Sequence, residues 1–251
     1  MAGASGVIGR RLAPLLLDAG YKVFGTTRSI GKAATLEAAG IEPIVVDAFD
    51  GVGLSRAMGS VGPEIVIHQL TDLPCDPGRI TERLAANARL RSEGTQNLVA
   101  AALEVGARRL VAQSIAWAYA PGTEPHCEED PLDLDADGTR GITVGGILAL
   151  ERFTLLSPPL TGVVLRYGFL YGPGTWRDQP TAVPALHVDA AAFAALLAAE
   201  SARAGIFNIA EPNEMVRTEK ARRELGWNPD FRLGLGGQAP EDSEIKSLEA
   251  G

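Results

Sequence analysis

Two patterns of hydrophobic residues alternate along the chain. Short apolar runs are typical of buried strands, whereas apolar residues that recur every three or four positions are typical of helices packed on one face. This predicts strands at 22–26, 43–46, 64–69, 109–113, 162–167 and 206–209, and helices at 7–19, 32–39, 53–58, 80–105, 143–156 and 189–202. Because strands and helices alternate throughout, we expect a doubly wound α/β fold with a parallel sheet, the Rossmann arrangement.

The alternation also predicts how the chain is divided. Residues 1–170 contain most of the predicted sheet and form the Rossmann domain. Residues 171–236 are predicted to form a small C-terminal substrate lobe, interleaved with the last strand of the sheet. Residues 237–251 are polar and acidic and are predicted to be a loose tail.

A glycine occupies every third position at the start of the chain, at Gly3, Gly6 and Gly9, directly before a helical pattern. Glycines at this spacing allow a tight turn out of a strand and close approach of the backbone to a pyrophosphate. The helix N-terminus then offers unpaired N–H groups to the phosphates. We therefore predict an NAD(P) site in the Rossmann domain, with Ser5, Val7 and Ile8 also contacting the cofactor.

Only Met1 and Ala2 precede Gly3, although a buried strand of five or six residues normally comes before such a turn. The first strand is therefore expected to be missing. Losing about four buried aliphatic side chains at ~1.5–3 kcal/mol each removes on the order of 10 kcal/mol. The hypothesis is that the natural start lies upstream, which N-terminal mass spectrometry of native protein would test.

The composition excludes several classes of partner. A net charge of −8, with an isoelectric point near 5.0, argues against nucleic acid and anionic membranes. Cys75 and Cys127 have neither metal-binding nor redox spacing, which favours a cytoplasmic location. We therefore expect a small-molecule substrate, and no nucleic acid or membrane.

Several segments, in the expected order, resemble the extended and atypical short-chain dehydrogenase/reductases, the NAD-dependent epimerase/dehydratase family. Besides the glycines, they are Asp47, 67–70, Asn87, 94–97, 166–174, 187–189 and 220–227. The resemblance implies that Asp47, with its neighbour Ala48, meets the adenine. It also implies that Gln69, Leu70, Asn87 and Arg166 lie beside the cofactor, and that helices 80–105 and 143–156 pair in a homodimer.

The chain departs from this family at the catalytic residues. The family uses a Tyr and a Lys four residues apart, the Lys lowering the pKa of the Tyr. Counting back from 149–152, these positions hold Thr143 and Ile147, and neither exchanges protons near neutral pH. The spacing of the usual serine points to Ile115.

Other residues remain candidates for proton transfer. We predict Tyr119 as the acid/base residue, with Ser114 as its hydrogen-bonding partner, and Tyr171 is a weaker alternative. His68 at a strand end is expected to be structural.

The second strand indicates which cofactor is used. Arg28 follows this strand, and no acidic residue lies between positions 20 and 36. An acidic residue there would bind the ribose 2′-hydroxyl of NAD, whereas an arginine accommodates a 2′-phosphate. We therefore favour NADP, with NAD as the alternative, and Arg28 as a cofactor-binding residue.

Three further sequence features are expected to be structural or argue against other functions. Asp189 is expected to cap a helix, beside His187. The loop 126–130 has metal-binding residue types, but their adjacency favours a solvated loop, so no metal is expected. No Gly-x-Ser-x-Gly motif exists, which argues against a hydrolase.

Two functional hypotheses follow. The first is an NAD(P)-dependent oxidoreductase or epimerase that acts on a carbonyl or alcohol of a small polar or nucleotide-sugar substrate without the usual Tyr–Lys pair. The second is a non-catalytic NADP(H)-binding sensor or interaction protein. Turnover with a panel of carbonyl compounds separates them, since both predict cofactor binding.

Overall fold

A computed structural model describes residues 1–74 and 76–234, so the predicted tail at 237–251 lies outside the described residues. The helices are α1 Val7–Asp18, α2 Ile30–Ala38, α3 Gly51–Val61, α4 Ile80–Arg89, α5 Thr95–Glu104, α6 Gly138–Leu155, α7 Val188–Glu200 and α8 Glu219–Leu225. The strands are β1 Phe24–Thr27, β2 Glu42–Val45, β3 Ile65–His68, β4 Arg109–Ile115, β5 Thr161–Tyr167, β6 Phe169–Tyr171, β7 Ala185–His187 and β8 Gly205–Ile209.

The main sheet is parallel, with β3, β4, β5 and β8 side by side and β1 paired with β2 beyond them. Ala2 joins the two parts, because it forms a parallel bridge to Thr26 on one side and to His68 on the other. The order is therefore β2, β1, Ala2, β3, β4, β5, β8. This confirms the doubly wound fold, and the strand order reverses beside Ala2, where such folds bind ligands.

The position of the expected first strand is occupied by Met1 and Ala2. The amide of Ala2 donates to the carbonyl of Ile67 (2.8 Å), and the amide of Thr26 donates to the carbonyl of Met1 (3.0 Å). The α-amino group of Met1 donates to the carbonyl of Phe24 (2.6 Å). These two residues therefore hold the glycine turn against the sheet on both sides.

Helices cover both faces of the sheet. On one face α1 packs on α7, and their core includes Val111 and Leu165. On the other face α3 packs on α5, and their core includes Leu110. Successive residues of β4 thus point into opposite layers, as a strand requires. This explains why the central strands are continuously hydrophobic.

Several elements differ from the sequence prediction. The predicted helix 80–105 is interrupted by a π-helical turn at Leu90–Gly94. Thr95 Oγ1 donates to the carbonyl of Arg91 (2.6 Å), and so satisfies it within this irregular turn. Helix α6 begins at Gly138, five residues before the predicted start at 143, and follows an extended Asp137 that makes no side-chain cap hydrogen bond. The short strands β6 and β7, which pair in parallel, were not predicted.

Candidate functional site

The glycine turn is held by close backbone contacts. Gly3 has a φ of +89°, and a Cβ there would lie 2.6 Å from the carbonyl carbon of Gln69. A Cβ at Gly9 would overlap the carbonyl oxygen of Gly3. The amide of Gly6 donates to that same oxygen (3.0 Å). The turn therefore depends on the absence of side chains at Gly3 and Gly9.

Helix α1 presents its N-terminus at this turn without a side-chain cap. Gly6 is the exposed N-cap residue, and within residues 1–74 and 76–234 no side chain caps the first amides of the helix. Ser5 and Val7 are partly exposed beside it, whereas Ile8 is buried under the helix. Uncapped amides at the positive end of a helix dipole form an anion site, so the arrangement fits a pyrophosphate.

A pocket beside the ends of β1 and β2 lies where the adenosine end is expected. It is lined by Arg28, Phe49, Asp72, Ala86, Arg89 and Leu90. The guanidinium of Arg89 lies 4.2 Å from the ring centroid of Phe49. Arg28 is exposed, and Asp72 pairs with Arg83 (2.6 Å). Arg89 also pairs with Glu93 (2.6 Å), so the pocket combines the exposed guanidinium of Arg28 with the aromatic face of Phe49, a surface suited to a phosphate and a purine.

Asp47 and Ala48 border this region but have local contacts. The Asp47 carboxylate accepts from the amide of Phe49 (2.9 Å). The carbonyl of Ala48 accepts from the side-chain amide of Asn97 on α5 (2.9 Å). The predicted adenine contacts of Asp47 and Ala48 remain predictions, and these contacts fix the turn that follows β2.

The end of β3 is positioned by His68. The amide of Leu70 donates to His68 Nδ1 (3.2 Å), so the ring proton is on Nε2, which donates to Thr95 Oγ1 (3.0 Å). Burial first, and then the charge of Arg91, lower the pKa of His68 to about 4. His68 is therefore neutral, and its contacts are structural, as the sequence predicted.

Two predicted cofactor residues lie next to this strand end. Asn87 on α4 accepts from the amide of Asp72 (2.8 Å), which holds the loop after β3. The side-chain amide of Gln69 is buried and has no hydrogen-bond partner among the described residues. The hydroxyl of Tyr167, which lies nearby, donates instead to the carbonyl of Ala191 (3.1 Å). A buried amide without partners beside the glycine turn suits a ligand group that completes its hydrogen bonds.

The positions expected to hold the catalytic pair are apolar and buried. Ile147 is fully buried with Ile115, Ala118 and Val144 in one cluster, which we call the apolar cradle. The hydroxyl of Thr143 donates to the carbonyl of Thr139 in its own helix (3.0 Å). None of these side chains moves a proton, so the cradle contributes apolar packing instead of an acid or base.

An aromatic pair packs against the cradle. Trp117 packs against it, and its ring stacks on Phe169 with 5.2 Å between ring centroids and 5° between the planes. Phe169 is 38% exposed. Arg140 of α6 pairs with Asp133 and donates to the carbonyls of Trp117 and Tyr119, which holds this segment in place.

Tyr119 is part of the core. It is buried, its hydroxyl donates to Asn208 Oδ1 (2.7 Å), and its ring stacks on His126. Burial raises the pKa of Tyr119 to about 12, despite the opposing charge of Arg166. The catalytic role of Tyr119 remains a prediction, but a buried, hydrogen-bonded phenol with this pKa is poorly suited to proton transfer near neutral pH.

Ser114 and Arg166 meet at Glu151, which sequence reasoning missed. Ser114 Oγ donates to Glu151 Oε1 (2.7 Å), and Arg166 donates to both oxygens of that carboxylate (2.8 and 2.6 Å). All three side chains are buried. The predicted roles of Ser114 in catalysis and Arg166 in cofactor binding therefore gain no support from these contacts. The sequence feature that could have predicted this ion pair is a glutamate, Glu151, on the face of α6 that the apolar pattern predicts to be buried.

Tyr171, His187 and Asp189 lie together where β6, β7 and the start of α7 meet. The Tyr171 hydroxyl donates to Glu211 Oε1 (2.6 Å), and the Tyr171 ring contacts His187 edge-on. Burial and this hydrogen bond raise the pKa of Tyr171. The N-cap of α7 is His187 and not Asp189 as predicted. His187 Nδ1 accepts a hydrogen bond from the amide of Asp189 (3.1 Å).

Fold and site together define a class, the dinucleotide-binding α/β proteins with a ligand site at the reversal of strand order. The model of the NAD dependent epimerase/dehydratase family matches residues 1–140. The chain belongs to this family of NAD-dependent enzymes. None of the helices in residues 1–74 and 76–234 is long and apolar enough to cross a membrane.

Individual relatives extend the comparison to most of the chain. It is 38% identical over 261 residues to a protein of a Streptomyces species named 3-diazoavenalumate denitrifying reductase, covering 96% of this chain and 82% of that one. The fold resembles UDP-glucose 4-epimerase of Thermotoga maritima, with a TM-score of 0.75, 19% identity, and coverage of 92% and 93%. It also resembles dTDP-glucose 4,6-dehydratase of Streptomyces venezuelae, solved with NAD bound, with a TM-score of 0.73, 18% identity, and coverage of 94% and 92%.

Proposed function

We propose that this protein is an NAD(P)H-dependent reductase whose hydride acceptor requires no proton from the enzyme. The observation that carries the proposal is the apolar cradle. Its residues Ile115 and Ile147, together with the neighbouring Thr143, stand where the sequence predicts the family's proton-transferring residues. Reduction of a carbonyl needs both a hydride and a proton on the oxygen. A site without an acid is suited to a substrate whose reduction needs a hydride and no added proton.

An aromatic diazonium group is such an acceptor. Replacing it by hydrogen consumes one hydride, breaks the carbon–nitrogen bond and releases dinitrogen, with no net proton from solvent. The group carries its own positive charge, so it accepts hydride without acid assistance. The name of the Streptomyces relative, which speaks of a diazo acid and a denitrifying reductase, supports this chemistry. We therefore propose an aromatic diazo acid as the substrate class.

The residues of this chain then have distinct tasks. The uncapped amides of α1 bind the cofactor pyrophosphate, and Gln69 completes its hydrogen bonds on the cofactor. When bound, the nicotinamide supplies the hydride. Trp117 and Phe169 stack on the planar substrate, and the apolar cradle excludes water from it.

We propose NADP as the preferred form of the cofactor. Arg28 is exposed at the end of β1, and together with Arg89 it lines the pocket at the expected adenosine end. Because Arg89 is paired with Glu93, the guanidinium of Arg28 is the group that suits a 2′-phosphate better than a ribose hydroxyl. NAD remains the alternative, since the family is NAD-dependent.

The test compares two classes of hydride acceptor. NADPH consumption is followed anaerobically with aryl diazonium acids and with a panel of aldehydes and ketones, and released dinitrogen is measured by mass spectrometry. We expect one dinitrogen per NADPH with the diazonium acids and no turnover above background with the carbonyl compounds. Turnover of carbonyl compounds alone would overturn the proposal, and binding of NADPH without any turnover would favour the sensor hypothesis.

We also propose a cytoplasmic homodimer. The pairing of α4 and α6, whose outer faces include Ile142 at 45% exposure, supports a helix-mediated interface. Light scattering coupled to size exclusion should give twice the mass of the 26.3 kDa chain. A monomer mass at micromolar concentration would refute it.

A further inference from the structure

Arg91 is a buried cation with no counterion among the described residues. It lies on the π-helical turn between α4 and α5, and 6% of its surface is exposed. Within residues 1–74 and 76–234 its guanidinium has neither a hydrogen bond to a side chain or carbonyl nor an ion pair. Burial lowers the pKa of Arg91 to about 10, so it remains charged at neutral pH.

The other buried arginines have protein partners for their guanidinium groups. Arg166 has a bidentate carboxylate partner in Glu151. Arg109, at the opposite end of the sheet, has no carboxylate partner among the described residues and an unpaired Nε, but its Nη1 donates to the backbone carbonyls of Ala198 and Arg203. Burying a charge without a partner is costly, and natural proteins pair such charges. The unpaired guanidinium of Arg91 therefore indicates an anion that arrives with a ligand.

The position of Arg91 bears on whether its anionic partner belongs to the cofactor or to the substrate. Arg91 lies beside His68 at the carboxyl end of β3, and β4, which leads into Ile115 and Trp117, is the parallel neighbour of β3. The π turn also packs on α6, whose Gly146 abuts Ala88 of α4. The N-terminus of α1, where the pyrophosphate binds, belongs to the opposite layer of the sheet. The end of β3 borders both ligands, because His68 also bridges to Ala2 directly before the glycine turn. The packing of the π turn on α6, away from α1, favours the substrate as the ligand that supplies the anion.

We propose that Arg91 binds a carboxylate or other anionic oxygen of the substrate, next to the apolar cradle and the Trp117–Phe169 pair. A guanidinium matches a carboxylate through two parallel hydrogen bonds. The aromatic ring of the substrate is taken from the proposed function, whereas the anionic group is inferred from Arg91 itself. It assigns to Arg91 a specificity-determining contact and an orienting effect, because its charge attracts the anionic end of a diazonium acid and repels the cationic end.

The test measures binding and not turnover. Affinities of trans-cinnamate and its neutral amide, trans-cinnamamide, are measured by calorimetry with NADP⁺ saturating. The wild type should prefer the carboxylate by about 10-fold or more, the value expected for a charge-assisted hydrogen bond. In Arg91→Met this preference should vanish while the Kd of NADP⁺ stays within about twofold. Arg152→Met, which removes an exposed arginine of α6, is the matched control and should keep the preference.

Arg91→Lys is a second variant in case Arg91→Met fails to fold. It keeps the positive charge but loses the paired N–H donors of the guanidinium. It should retain a reduced preference for the carboxylate. An unchanged preference in both Arg91 variants, a loss confined to NADP⁺ affinity, or no cinnamate binding to the wild type would each overturn the proposal. A carboxylate preference that depends on Arg91 without NADPH consumption by diazonium acids would instead leave Arg91 assigned and reject the proposed reaction.

Discussion

At the scale of single residues, burial together with pairing separates structural polar groups from groups available to a ligand. Glu151 is buried and fully engaged by Arg166 and Ser114, so it belongs to the core. Gln69 and Arg91 are similarly buried. The side-chain amide of Gln69 has no hydrogen-bond partner, and Arg91 forms no ion pair, in the part of the chain that the structure describes. The sequence marks all of them only as polar residues in hydrophobic surroundings.

The Glu151–Arg166 pair should therefore control stability. Glu151→Ala leaves the Arg166 guanidinium buried and unpaired, and removing one partner of a buried pair typically costs about 3–5 kcal/mol. Urea unfolding should show this loss. Glu224→Ala, which breaks the exposed pair with Arg223, should leave the unfolding midpoint nearly unchanged. Equal effects of the two substitutions would contradict a buried role for Glu151.

Arg28 should decide the cofactor preference. Arg28→Ala removes a charged donor to the 2′-phosphate, a contact worth roughly 1.5–3 kcal/mol. We expect the Kd of NADPH to rise about 10- to 100-fold and that of NADH to change little. Arg56→Ala on α3, also exposed, serves as the control and should affect neither. A parallel loss of NADH affinity would assign Arg28 a general role in cofactor binding.

At the scale of elements, the glycine turn and α1 show what local sequence determines. Glycines at positions 3, 6 and 9 predict a tight turn because only glycine tolerates its dihedral angles and contacts, and the structure has such a turn. The order of strands and helices was likewise predictable from periodicity. The π turn at Leu90–Gly94 was not, because it depends on Thr95 and on packing against distant elements. The ion pair of Glu151 with Arg166 also joins residues that periodicity cannot bring together.

Gly9→Ala should disable the cofactor site through this turn. Its Cβ would overlap the carbonyl oxygen of Gly3 and force the turn away from α1. We expect NADPH affinity, measured by fluorescence titration, to fall by more than tenfold, since the amides lose their alignment. Gly145→Ala is the matched control, because nothing lies within 4 Å of its Cβ on α6. Alanine there should be neutral or stabilise by up to about 1 kcal/mol. Normal NADPH affinity in Gly9→Ala would refute the assigned site.

At the scale of the whole molecule, the sheet brings together residues from opposite ends of the first half of the chain. Ala2 bridges to Thr26 and to His68, and His68 in turn anchors α5 through Thr95. The end of β3 thus links the N-terminal turn to the helix layer that contains the cradle. The proposed cofactor and substrate sites both depend on this link, so protonation of His68 should lower the stability of the whole fold.

Stability should therefore fall in mild acid through His68. Its pKa is lowered from an ordinary 6.5 to about 4 in the folded protein, so the unfolded chain takes up the proton first. The stabilisation is complete above pH 6.5 and is lost as the pH falls through 4. Linkage gives a loss of about 2 kcal/mol between pH 7.5 and pH 5. Urea unfolding at both pH values should show this loss. In His68→Gln, whose amide can replace both ring contacts with Leu70 and Thr95, the pH dependence should shrink by the same amount. An unchanged pH dependence would mean that other groups cause the acid sensitivity and that His68 retains an ordinary pKa.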